Sequence, residues 1–221
     1  FPAIYHGHFA YVDMQNLAVN TGDVKMVNIN IVRNPFERMI SYYYFLRYGD
    51  DFRKNKVRSR MSDKNTTFDE CVKKGLPDCQ LKKLWYQVLK KKLVKLHNTI
   101  QFHGFSPQFL GSLVLWTFSK MWDPPGNRWA LEQAKFNLAN KYFLVGLTEE
   151  LETFIDLMEM ALPRFFKGAR SLLNRSSIDT WHIRRTKHKD PANEETINTF
   201  SSTRIWKAEM EFYEFAKSHF L

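Results

Sequence analysis

Arg33 and Ser41 stand in the stretch VKMVNINIVRNPFERMISYYYFLRYGDDFR, and a guanidinium close to a hydroxyl suits a phosphate, because it offers a fork of charged donors plus one neutral donor. The elements that must position them can be read from the same stretch. The mostly β-branched run Val27 to Val32 predicts a buried strand of a largely parallel sheet. Asn34 suits a helix cap, Pro35 the first helical position, and Glu37 follows the cap at the third. Strand, turn and helix then succeed one another with almost no loop. Arg33 is left at the carboxyl end of the strand and Ser41 about two turns into the helix, where ligands of open α/β sheets bind. The plainer reading of the same two residues is an ion-paired strand end and a small packing serine, and spacing alone does not displace it.

A second pair of residues with chemistry opens the chain, His6 and His8 in YHGH. In an extended segment the two imidazoles point to opposite faces, so one metal ion would be awkward for both. A single acid-base histidine with a supporting neighbour is easier to build. Imidazole titrates near neutrality, and a well-placed base contributes about 10²–10⁴-fold to a rate. Read without chemistry, the pair are ordinary surface histidines.

The chain has 221 residues, enough for one domain with a real core, and 44% hydrophobic with 15% aromatic residues argues against global disorder. Thirty-three Lys+Arg against 23 Asp+Glu leave a formal charge of +10. That excess predicts a polyanionic partner without separating nucleic acid, an acidic membrane surface and an acidic polysaccharide. No stretch has the length and apolarity of a membrane span, and no signal peptide opens the chain. Phe1 is not an initiator Met, so the sequence reads as a fragment whose targeting segment lies outside it. Cys71 and Cys79, around a Gly-Leu-Pro turn, suit a local disulfide, or zinc if further ligands lie nearby. Asn65 and Asn174 head glycosylation triplets usable only in the secretory pathway.

The run IVRNPFERMISYYYFLRYGDDFR resembles the 3'-phosphate-binding segment of sulfotransferases that use 3'-phosphoadenosine 5'-phosphosulfate (PAPS), most closely the heparan sulfate 2-O-sulfotransferases. YHGH, FDEC, the NRWALEQAK block and LPRFFKGA resemble the same uronyl 2-O-sulfotransferase family. The resemblance implies an α/β, P-loop NTPase-like fold with a parallel sheet flanked by helices, and PAPS as co-substrate with no metal. It implies that Arg33 and Ser41 hold the 3'-phosphate of the donor, and that His6 takes the proton from the acceptor hydroxyl with His8 assisting. Arg53 and Arg58, in the basic segment after the helix, and Arg184, in His182-Ile183-Arg184-Arg185-Thr186, fall where polysaccharide ligands lie, with Arg185 a weaker candidate. Arginine can clamp carboxylate and sulfate in a bidentate way. The resemblance also implies a Cys71–Cys79 bridge, a Golgi-lumen enzyme anchored through a segment before Phe1, and a homotrimer. The family's donor loop, with the basic residue that stabilises the leaving oxygens of PAPS, precedes YHGH, together with a strand and a helix of the sheet. The 221 residues alone are therefore expected to be catalytically crippled.

The remaining chain reads as one sulfotransferase domain over 1–221, with a divergent segment at about 88–122 that fits neither flank and is assigned no function. Phe68 to Val72 predicts a short helix with Asp69 and Glu70 in its first turn. Trp129, Leu131, Ala134 and Leu138 give a helical stripe, followed by a short strand at Tyr142 to Gly146. Thr148 is expected to cap the next helix, which buries Leu151, Phe154, Ile155 and Met158. Pro191 to Leu221 is expected to be mainly helical, packed through Ile205, Trp206, Met210, Phe212, Tyr213 and Phe215. The expected reaction moves a sulfuryl group to the 2-hydroxyl of iduronate, less often glucuronate, in heparan sulfate. The alternatives are a dermatan or chondroitin uronyl 2-O-sulfotransferase and a non-catalytic heparan-binding module. A nucleic-acid partner is permitted by charge but supported by no motif.

Overall fold

The computed structural model describes residue 4 and residues 27–49, 65–79, 128–175 and 189–221. Its elements in chain order are β1 (Ile29–Val32), α1 (Pro35–Tyr48), α2 (Phe68–Lys73), α3 (Arg128–Lys141), β2 (Leu144–Leu147), α4 (Leu151–Ala161), α5 (Pro163–Phe166), α6 (Ala169–Arg175), α7 (Glu194–Ser201) and α8 (Arg204–Phe220).

β1 and β2 pair in parallel, from Ile29 opposite Leu144 to Val32 opposite Leu147. Parallel neighbours require a crossover, and here it carries α1, α2 and α3. Successive strand side chains alternate between faces. Val32 and Leu147 accordingly enter a core with Leu131, Ala134 and Leu138 of α3 and Phe212 and Ala216 of α8. On the other face a Cβ on Gly146 would fall inside the Phe154 ring of α4, so glycine is what lets this helix lie against the strand. Helices thus cover both faces of β2, a mixed helix and strand architecture around a small parallel sheet. The expected strand is shorter than Val27 to Val32, and Val27 and Ile31 are exposed. With two strands in the sheet among the described residues, β1 has less cover than a central strand.

A second core joins the middle of α1 to α2, α7 and the start of α8, with Ile40, Tyr43, Tyr44, Phe68, Cys71, Cys79, Phe200 and Trp206 buried together. Phe68 stacks on Phe200 at 5.8 Å, and Phe36 meets Trp206 edge-on at 5.4 Å. α8 runs from this core into the one beneath the sheet, with Met210 touching both.

Caps explain most boundaries. Thr67 and Glu70 form a reciprocal box at the start of α2, while Asn193 and Thr203 cap α7 and α8. Four local expectations are corrected. Thr148 does not cap α4: it opens a tight turn, Thr148–Glu150, and the helix begins at Leu151 with no side-chain cap. Leu151, expected on the buried face, is exposed, while Phe154 is buried. Trp129 is 52% exposed, because the buried stripe of α3 runs through Ala130, Leu131, Ala134 and Leu138. The second strand likewise sits at Leu144–Leu147 rather than Tyr142 to Gly146.

Candidate functional site

Arg33 follows the last residue of β1 directly, so its guanidinium leaves the sheet at the carboxyl end, where α1 begins. The Asn34 carboxamide oxygen accepts from the N–H groups of Phe36 at 2.9 Å and Glu37 at 3.3 Å. Pro35 contributes no N–H at the first helical position. The free donors of this helix start are therefore largely satisfied from within, and the charge there is carried by side chains.

In a capping box Glu37 would reach back to the Asn34 N–H. Glu149 does so instead, from the turn after β2, at 2.9 Å. The Glu37 carboxylate is left to meet two cations. Arg33 Nη2 lies 3.6 Å from Glu37 Oε2, and Lys189 Nζ contacts the same oxygen. Ser41, half-buried, is one helical turn beyond Glu37, so these two lie along one edge of α1.

Lys189 is a residue that the sequence analysis missed. It belongs to a short strap, residues 189–193, that crosses α1 and α2. Tyr44 Oη donates to Asp190 Oδ2 at 3.4 Å and accepts from the Phe68 N–H at 3.2 Å, and the Asn193 N–H donates to the Asp69 carboxylate at 3.2 Å. Burial pushes the Tyr44 phenol above its ordinary range. Lys189 ends the basic run Arg184-Arg185-Thr186-Lys187-His188-Lys189; such runs mark solvated loops far more often than sites, and nothing local ties position 189 to position 37.

The far end of α1 is different in kind. The Arg47 side chain is 1% exposed, 3.4 Å from Asp78, and its guanidinium lies 3.5 Å above the centre of the Tyr43 ring. Its Nε and Nη1 make no hydrogen bond among the described residues. Tyr43 Oη donates to the carbonyls of Thr66 and Thr67 at 2.9 and 3.1 Å, and burial drives its phenol far above the ordinary range. Cys71 and Cys79 are bridged across a Cα–Cα distance of 6.0 Å. The bridge holds the turn that presents Asp78.

Of the residues singled out from the sequence, Arg33 stands just before the cap of α1 with its guanidinium near Glu37, and Ser41 lies one turn beyond Glu37 within that helix. His6, His8, Arg53, Arg58, Arg184, Arg185 and the segment 88–122 lie outside the described residues. Asn65 is exposed just before α2, and Asn174 lies in the last turn of α6. Among the described residues no group of three or more His, Cys, Asp or Glu could hold a metal ion, and no helix is long and apolar enough to cross a membrane. What the Arg33 edge can do is hold an anion. Two cations and a hydroxyl line it beside the Glu37 carboxylate, and among the described residues the guanidinium fork is engaged by one long contact.

No family model matches the chain. Individual proteins do: heparan sulfate 2-O-sulfotransferase 1 of Gallus gallus is 46% identical over 219 residues, 99% of this chain and 53% of the relative. The Homo sapiens protein of the same name is 44% identical over the same span. Heparin sulfate O-sulfotransferase of Drosophila melanogaster is 41% identical over 219 residues, 99% of this chain and 54% of its own length. This chain is a relative of the heparan sulfate 2-O-sulfotransferases. The likeness runs along almost the whole chain, well beyond the motifs that first suggested it. The chain spans about half the length of the curated relatives it matches.

Proposed function

We propose that the protein transfers a sulfuryl group from PAPS to the 2-hydroxyl of iduronate, less often glucuronate, in heparan sulfate, on a P-loop-like parallel sheet. Arg33 and Ser41 anchor the 3'-phosphate of the donor, with Lys189 a second cation beside them. His6, supported by His8, takes the proton as the acceptor oxygen attacks sulfur in line. The bond from sulfur to the bridging phosphate oxygen breaks, and 3'-phosphoadenosine 5'-phosphate leaves. Arg53, Arg58 and Arg184 align the anionic chain. The observation that carries this reading is the Arg33 edge: a guanidinium at the carboxyl end of a parallel strand, joined by a lysine and followed by a serine, is built for a phosphate. The formal charge of +10 supports a polyanionic acceptor. The bridge between Cys71 and Cys79 supports an oxidising compartment such as the Golgi lumen. Assembly as a homotrimer and use of Asn65 and Asn174 for glycosylation belong to the same proposal.

The test is incubation of the full-length protein with PAPS and desulfated heparan sulfate, dermatan or chondroitin, followed by disaccharide analysis. The expected product is 2-O-sulfated iduronate in heparan sulfate, lost in His6→Ala. Product confined to dermatan or chondroitin, or polysaccharide binding with no transfer, rejects the proposal.

A further inference from the structure

Arg33 and Lys189 meet a single oxygen of Glu37, and three features make that an unusual use of a carboxylate. First, the contact is loose on the arginine side: one nitrogen at 3.6 Å, the one ion-pair contact of that fork among the described residues, where a matched carboxylate would take two parallel bonds. Second, the helix start does not depend on the Glu37 side chain, since Asn34 caps α1 and Glu149 takes the Asn34 N–H. Third, the three side chains are 27–46% exposed, and such ion pairs contribute little to stability.

We infer that Glu37 is an internal stand-in for the 3'-phosphate of the donor, an inference that rests on the proposed function. With no nucleotide bound, its carboxylate keeps Arg33 and Lys189 at the edge of α1. An arriving phosphate carries more charge and can take the Arg33 fork in bidentate geometry, so it exchanges for the carboxylate on both cations. Because Lys189 belongs to the strap that Tyr44 and Asp69 pin down, that exchange takes place at a fixed point of the chain, just after the segment that bears Arg184. Glu37 acts through the two cations and is a positioning residue.

The consequence has a sign that a purely structural ion pair does not share. The stand-in competes with the phosphate, so removing its charge should tighten donor binding. Titration of the full-length protein with 3'-phosphoadenosine 5'-phosphate is expected to give roughly two- to five-fold tighter binding for Glu37→Gln than for wild type, the scale of one exposed charge pair. The gain should shrink in high salt. Adenosine 5'-phosphosulfate, which lacks the 3'-phosphate, should show no gain. Unchanged or weaker binding by the variant, with its melting temperature intact, overturns the inference, as does an equal gain with both nucleotides. Arg33→Ala separates the two levels: unchanged nucleotide affinity in that variant removes the proposed donor site itself, whereas lost affinity without tightening in Glu37→Gln removes only the stand-in.

Discussion

The two ends of α1 carry the same kinds of residue and use them in opposite ways. At its start Arg33, Glu37 and Lys189 are partly exposed and share a single carboxylate oxygen. Toward its end Arg47 is buried under Asp78 and against the Tyr43 ring, beside a disulfide. An exposed pair is screened and easily exchanged, whereas a buried one has paid desolvation and is destabilising to break. One helix therefore has an end suited to binding and an end suited to stability.

Asp78→Ala is the strongest challenge to that contrast. It strands a buried guanidinium and should cost about 3 kcal/mol, read as a lower melting temperature, with nucleotide affinity near wild type while the protein stays folded. Equal effects on both readouts would erase the distinction between the ends. Reducing the Cys71–Cys79 bridge, or Cys71→Ala with Cys79→Ala, should follow at about 2–3 kcal/mol for so short a loop, again in melting temperature. At the other end the pattern should invert. Arg33→Ala is expected to weaken 3'-phosphoadenosine 5'-phosphate binding by roughly ten- to a hundred-fold, the scale of one or two charge-assisted hydrogen bonds, with the melting temperature almost unmoved. Ser41→Ala should weaken it only a few-fold, the scale of one neutral hydrogen bond.

The smallest expected effect is one of pH, away from both ends. Glu159 accepts the N–H groups of Gly168 and Arg170 at 2.7 and 3.1 Å, and these hold its carboxyl below the ordinary value of 4.5. The folded state therefore binds fewer protons there than the unfolded chain. Its contribution is present above about pH 4.5 and is lost as pH falls through the depressed value. Melting temperature against pH should show a shallower acid limb in Glu159→Gln than in wild type.

Much of this was legible because it is local. The switch from strand to helix at Arg33, the Asn34 cap, Pro35 at the first turn and the packed face of α8 follow from backbone sterics and periodicity within a few residues. Reading along the chain failed where a distant residue took over a local role, and where a local turn or the buried stripe of a helix fell at other residues than the pattern suggested. Glu149 supplies the acceptor that Glu37 was placed to supply, so the box at Asn34 closes across 115 positions. Thr148 yields its expected cap to a tight turn, and Leu151 and Trp129 turn outward. Lys189 looked like one more cation in a basic run until the strap set it against Glu37.

By itself the sequence determined where α1 and α2 begin and which face of α8 is buried, since each depends on neighbours a turn or two away. Only the tertiary structure decided which charges meet. Pairing of Lys189 with Glu37 and of Asp78 with Arg47 depends on how the chain returns on itself. The burial that separates an exchangeable ion pair from a structural one is a property of the packed molecule.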